Sequence, residues 1–192
     1  SAARAEALLI SGAGATFPAP LYAKWFAEDG KLHPQVHFNY AAIGSGGGIR
    51  QLSEGTVDFG ATDVPMSAAE EQRAPGILHL PLALGAVAVV YSGAPEGLRL
   101  TAAVLADIFL GRITSWRDPR LLADNPGLAL PSLPITVAHR SDGSGTTAVF
   151  TDYLAKAAPA WRAQVGAGKS VRWPCGVGGK GNEGVTQQVK QL

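Results

Sequence analysis

Three things are scarce in this chain. It has one cysteine, Cys175, so no intrachain disulfide can form, and a small buried apolar role is expected for that side chain. It has almost no net charge: 16 basic residues stand against 15 acidic ones, for a formal +1. The basic residues are scattered, which excludes a broad electrostatic surface for nucleic acid; any anion site must be local. It also has no long hydrophobic run. The longest, Leu80 to Tyr91, is broken by Pro81 and Gly85 and falls short of the ~20 residues that span a bilayer. Metal chemistry finds no footing either. Four histidines and one cysteine lie apart, and Pro34 interrupts the His33/His37 pair.

What is abundant is apolar residues, 46% of the 192, and glycine, 24 of them. That balance describes a globular chain. The glycines fall in clusters, each following a short apolar or β-branched run and preceding a helical pattern. Ala7 to Ile10 reads as a strand, Gly12 to Phe17 as a turn, and Pro18 and Pro20 open a helix with Leu21, Tyr22, Trp25 and Phe26 on one face, ended by Gly30. Val36 to Tyr40 is a second strand, followed by a turn at Ile43–Gly48 and a helix from Ile49 to Glu54. Val57 to Ala61 is a third, followed by Thr62-Asp63, and Ser67 with Glu70 forms a capping box. The repeated unit predicts an α/β fold, whose ligands sit beyond the carboxyl ends of the strands. Thr16, Ser45 and Asp63 all fall at such ends.

Two further strands are expected at Ile77–Leu82 and Ala86–Tyr91, buried on both faces or crossing between lobes. Thr101 caps a helix through Leu110, and Asp124-Asn125-Pro126-Gly127 is turn chemistry. A polar helix is expected from Asn182 to Leu192.

The densest cluster is His139-Arg140-Ser141-Asp142-Gly143-Ser144-Gly145-Thr146-Thr147, between a strand at Ile135–Val137 and a helix over Ala148–Lys156. Helix-start amides, the hydroxyls of Ser144 and Thr146 and the Arg140 guanidinium together describe an anion pocket. An N-capped helix after a tight turn is the alternative reading of the same residues. Gly166-Ala167-Gly168-Lys169-Ser170 ends like a phosphate-binding loop, but Ala163 stands where the first glycine belongs and no strand leads in. No serine sits in a Gly-x-Ser-x-Gly elbow.

Taken together, Gly12–Pro20, Ile43–Gly47, Val57–Asp63 and Arg140–Thr146 resemble the phosphate-binding proteins of bacterial ABC importers, the PstS family of type II periplasmic binding proteins. Asn125-Pro126-Gly127, Trp173-Pro174 and Gly178–Asn182 match the same family. The resemblance implies an α/β, two-lobed periplasmic-binding-protein-like fold, incomplete at the C-terminus. Residues 1–84 would form the N-terminal part of the first lobe. Residues 85–192 would form a second lobe lacking the family's last strand and return segment. It implies a non-enzymatic protein without metal or cofactor that binds orthophosphate between its lobes. Thr16, the amide of Phe17, Ser45, Asp63, Arg140, Ser144, Gly145 and Thr146 would be the ligands, and Asp142 would hold Arg140. A membrane ABC permease is the expected partner. The expected location is the periplasm or cell envelope, reached behind a removed signal peptide that preceded the Ala-rich start. A second copy or a separate chain is expected to complete the fold. A phosphate-sensing or interaction module without a transport role, and a phosphate-ester hydrolase, are the competing functions.

Within that resemblance Asp63 is informative. An ionised carboxylate only accepts hydrogen bonds. Beside an anion it fits only when the anion carries a proton, as phosphate does near neutral pH and sulfate does not. A site built on such a bond rejects the analogue lacking it by about 10⁴–10⁵.

Overall fold

The computed structural model describes residues 7–192. The Ala-rich start, expected to follow a removed signal peptide, lies almost wholly outside the described residues. The chain divides into two compact units. The first comprises the residues up to Ala86 together with Asp142–Gly145; the second comprises Val87–Ser141 and Thr146–Leu192.

The first unit is built on three parallel strands, β1 (Leu8–Gly14), β2 (Val36–Ala42) and β3 (Phe59–Ala61), in the order β2-β1-β3. Gly14 pairs with Ala42 on one side and Ala61 on the other, so the three strands end level. Helix α1 (Ala19–Leu32) begins with proline in its first turn and runs through Gly30, where a terminus is expected. His33 provides the cap instead, its backbone N–H donating to the Asp29 carbonyl. Tyr22 is the buried anchor of α1. Its ring stands edge-on to Tyr40 at 5.1 Å, and Phe26 stacks on Phe38 at 4.6 Å. Aromatic pairs of this kind add about 0.5–1.5 kcal/mol each beyond the area they bury.

Helix α2 (Ser45–Ser53) starts four residues earlier than the glycine count suggests. Gly46, Gly47 and Gly48 are helical because Gly48 lies against β1: a Cβ there would come within 2.5 Å of Gly14 Cα and 2.6 Å of the Ala13 carbonyl oxygen. Close helix–strand approach, rather than turn geometry, explains the run of glycines. Helix α3 (Ala68–Arg73) carries the expected capping box, with Ser67 and Glu70 bonded reciprocally. The strands expected at Ile77–Leu82 and Ala86–Tyr91 are absent. Residues 78–91 are neither helix nor strand, and Leu78, Leu80, Leu82 and Leu84 are exposed rather than buried. Strands require neighbours, and none is present along this stretch among the described residues.

The second unit packs α4 (Ala102–Phe109), α5 (Pro119–Asp124), most of α6 (Gly145–Ala157), α7 (Pro159–Gln164) and α8 (Gly181–Gln191) with a two-stranded parallel sheet. That sheet comprises β4 (Ala138–Arg140) and β5 (Val177–Gly179). Strand β4 lies three residues later than the Ile135–Val137 run, so Arg140 closes the strand instead of entering the turn. Helix α6 likewise starts at Gly145, not Ala148. One cluster of the core gathers Ile113, Trp116, Leu121 and Val137. The other is centred on Leu154 and Trp161, both with no exposed surface. Trp161 resolves its polar end by donating from Nε1 to the Gly166 carbonyl at 2.8 Å. Asn125 is buried and bonded on both sides: Oδ1 accepts from Arg99 N at 2.6 Å, and Nδ2 donates to the carbonyls of Arg99 and Leu121. Cys175 is only partly buried. Its thiol points at the carbonyls of Ile108 and Phe109, and burial raises its pKa.

Candidate functional site

The three strand ends of the first unit are drawn together at Gly14. Its carbonyl accepts from the amides of both Ile43 and Gly44, at 3.0 and 2.8 Å, and the Ala15 amide donates to the Ala61 carbonyl at 2.9 Å. Gly14 has φ +144, and a Cβ on it would fall on the Ala61 carbonyl oxygen, so only glycine fits this crossing. The chain then leaves the sheet at Ala15 towards Thr16, at Gly44 towards Ser45, and at Thr62 towards Asp63. The first exit is braced by Tyr40, whose hydroxyl donates to the Ala15 carbonyl at 2.7 Å. The third is braced by Thr62, whose hydroxyl donates to the Val64 carbonyl at 2.6 Å and so frames Asp63.

Ser45, the first residue of α2, is fully buried. Its hydroxyl oxygen accepts from two backbone amides, Asp63 N and Gly145 N, each at 3.2 Å. With both lone pairs engaged, the Ser45 proton is left to donate. The loop carrying Gly145 is held further by the Gly46 amide, which donates to the Gly143 carbonyl at 2.9 Å. Gly145 lies so close that a Cβ would stand 2.5 Å from Asp63 Cβ, Asp63 Oδ2 and Ser45 Oγ. One oxygen of the Asp63 carboxylate, Oδ1, is buried. Its negative charge reaches the first unit's tyrosines. Burial chiefly, then Asp63, raises the Tyr22 pKa; burial, then Tyr22 and Asp63, raises that of Tyr40. Tyr40 therefore stays a protonated donor to Ala15.

The structure thus gathers Ser45, Asp63 and Gly145 in direct contact. Thr16 follows the braced exit at Ala15, Phe17 stands partly exposed beside it, and Ser144 is fully buried in the Gly145 loop. In the second unit Arg140 is 7% exposed at the end of β4, and its Nη1 donates to Asn182 Oδ1 at 2.7 Å. Asn182 sits in the first turn of α8. In sequence Asn182 stands in a motif with no role of its own, because contact with a residue 42 positions away leaves no local signal. Thr146 is partly buried in the first turn of α6. Tyr40 likewise shows in sequence only as a strand residue.

The phosphate-loop-like stretch ending at Ser170 is a loop with no helix behind it, and its Gly168 amide is bonded to Thr151 Oγ1 at 3.1 Å. A cavity of about 390 Å³ in the second unit is lined mostly by apolar side chains such as Val89, Ile108, Trp116 and Phe150. Arg140 and Thr146 are among its lining residues.

Several known proteins are similar to this chain. "Phosphate-binding protein PstS" of Xylella fastidiosa (strain Temecula1) is 48% identical over 195 residues, matching all of this chain and 53% of that protein. The protein of the same name from Haemophilus influenzae is 49% identical over 191 residues, matching 98% of this chain and 57% of its own length. The chain therefore spans about half the length of the curated relatives it matches. Among solved structures, a putative phosphate ABC transporter substrate-binding protein with bound phosphate from Clostridium perfringens matches with a TM-score of 0.65 at 22% identity, over 96% of this chain and 67% of that one. An ABC-type phosphate transport receptor from Vibrio cholerae matches with a TM-score of 0.55 at 18% identity, over 96% and 68%. These two share the fold. The family model described as "PBP superfamily domain" matches residues 1–191. With strand ends, glycine crossings and helix starts arranged as above and the family model matched over almost its whole length, the chain belongs to the PBP superfamily.

Proposed function

We propose that this chain binds inorganic phosphate as the receptor of an ABC importer, outside the cytoplasmic membrane, and passes it to a membrane permease. Binding, not turnover, is the function of the site. One observation carries the reading: a carboxylate, Asp63, stands against a helix-start amide, Gly145, and a hydroxyl, Ser45, whose own lone pairs are already engaged. The Ser45 O–H is a donor to an unprotonated oxygen, and Asp63 is an acceptor for a protonated one. A monoprotonated oxyanion satisfies both, and sulfate at neutral pH satisfies only the first. Thr16, the Phe17 amide and Ser144 supply further donors, while the Gly145 amide, already given to Ser45 Oγ, sets the polarity of that hydroxyl. Arg140, held by Asn182 and in this reading also by Asp142, contributes the planar cation, and Thr146 another hydroxyl. Hydrogen bonds to a charged group contribute about 1.5–3 kcal/mol each. Several together permit micromolar or tighter binding after ordering costs.

The Xylella fastidiosa and Haemophilus influenzae relatives both carry the name phosphate-binding protein, which supports the ligand and the transport role. Export behind a cleaved leader belongs to the same proposal. Calorimetry with phosphate and sulfate at neutral pH tests it. Phosphate is expected to bind and sulfate to bind at least ~10³-fold more weakly. Comparable affinities would remove the role given to Asp63, and no binding of either would remove the proposal.

A further inference from the structure

Tyr40 of β2 stands opposite Gly12 of β1. Its ring is held by two others in the first unit. Tyr22 meets it edge-on, and Phe59 lies nearly parallel to it, at 14° and 5.9 Å. Phe59 is itself laid over Gly12, where a Cβ would fall on its ring. Glycine at position 12 thus leaves room for Phe59, Phe59 and Tyr22 place Tyr40, and the Tyr40 hydroxyl reaches the Ala15 carbonyl at 2.7 Å.

Ala15 is buried, and both of its backbone groups are engaged. The N–H donates to the Ala61 carbonyl at 2.9 Å, and the carbonyl accepts from Tyr40. With both groups fixed, neither φ nor ψ of residue 15 is free to turn. The second matters for the site, because rotation about ψ of Ala15 would swing Thr16 and Phe17 together. A peptide unit is planar and trans, so an oxygen held on one side also sets the direction of the following N–H and Cα. Among the described residues no peptide bond is cis. A hydroxyl that served packing alone could give its proton to water instead, and the plane after Ala15 would then be free to turn.

We infer that Tyr40 is a positioning residue for phosphate: its hydroxyl locks the Ala15–Thr16 peptide, so that Thr16 and the Phe17 amide meet the anion already oriented. Orientation settled during folding is entropy that binding does not have to remove. The inference takes its ligand from the phosphate reading above, whereas the locked peptide belongs to the chain with no anion bound.

The test is Tyr40→Phe, which keeps the ring and its aromatic neighbours and removes the hydroxyl. In phosphate-free buffer, NMR order parameters of the Thr16 and Phe17 amides are expected near the rigid value of about 0.85 in the parent chain and towards the flexible value of about 0.6 in the variant. Those of Gly44 and Ser45, at the neighbouring exit, are expected to stay unchanged. Phe59→Leu, which keeps the hydroxyl and loosens the ring that carries it, should lower the same two values less. Calorimetry is expected to show phosphate binding weakened about tenfold by Tyr40→Phe, the equivalent of one hydrogen bond. Made in a Thr16→Val chain, Tyr40→Phe should cost about threefold or less, because its route through Thr16 is already cut. Parent-like affinity, a tenfold loss undiminished in Thr16→Val, or order parameters at Thr16 and Phe17 that neither variant lowers overturns the inference. A parent chain that binds no phosphate removes the phosphate reading instead, and the order parameters alone then decide whether Tyr40 locks the peptide.

Discussion

The Gly145 amide donates to the Ser45 hydroxyl at 3.2 Å, across one hundred residues of sequence. This bond joins the first residues of two helices, α2 and α6. A side chain at Gly145 has no space, since its Cβ would stand 2.5 Å from Asp63 and Ser45. Gly145→Ala is therefore expected to lose phosphate affinity on the order of 100-fold, as displacement by about 1 Å does in a tightly arranged site. Alanine favours the helix by about 1 kcal/mol over glycine, so folding should survive. Calorimetry beside a thermal melt checks this; unchanged affinity would show that the loop yields without consequence.

The Asp63 N–H donates to Ser45 Oγ, and the proposed function gives its carboxylate a separate duty, accepting from the ligand. Asp63→Asn keeps the N–H and replaces an acceptor with a group that can also donate. It is expected to lose phosphate-over-sulfate discrimination more than phosphate affinity. Titration of the variant with both anions is the check, and an unchanged ratio would exclude the carboxylate from selectivity.

Arg140 is held through a 2.7 Å bond to Asn182. Arg140→Lys keeps charge and loses the planar fork, and Asn182→Ala keeps the fork and loses its anchor. Asn182→Ala is expected to weaken phosphate binding about tenfold, which corresponds to one charge-assisted bond of about 1.4 kcal/mol. Arg140→Lys should lose more, and Arg140→Ala more again. Parent-like affinity in Arg140→Lys would show that fork geometry is dispensable.

Asp58 gives the first unit an acid limit. The Ser11 amide donates to its carboxylate at 2.7 Å and the Ser11 hydroxyl at 3.0 Å, and these bonds hold its pKa below the usual carboxylate range. A lowered folded value means that its contribution is complete above the ordinary value of about 3.9 and is lost as pH falls through the folded value. Melting temperatures between pH 5 and pH 3 should therefore fall more steeply in the parent chain than in Asp58→Asn. Parallel profiles would assign the acid limit to other groups.

Asn125 holds the second unit together by bonding both the amide and the carbonyl of Arg99 and the carbonyl of Leu121. Asn125→Ala leaves partly buried backbone groups unmatched and is expected to cost about 3 kcal/mol. Denaturant unfolding measures it, and a loss below about 1 kcal/mol would mean that water takes over these bonds.

Local chemistry made part of this molecule legible without coordinates. Thr16, Ser45 and Asp63 could be placed at strand ends because apolar runs, glycine clusters and helix patterns follow one another within a few residues. The capping box at Ser67 and the proline-led start of α1 are likewise settled by neighbouring residues. Tertiary structure decided what depends on distant partners. Glycines 46–48 are helical because Gly48 must lie against Gly14, and α6 begins at Gly145 where its amide meets Ser45. Asn182 orients Arg140 through a contact that no spacing encodes. The apolar stretch from Leu78 has strand chemistry in sequence but is not a strand here. A strand is a property of a pair, and its hydrogen bonds require a second chain segment that local sequence cannot supply.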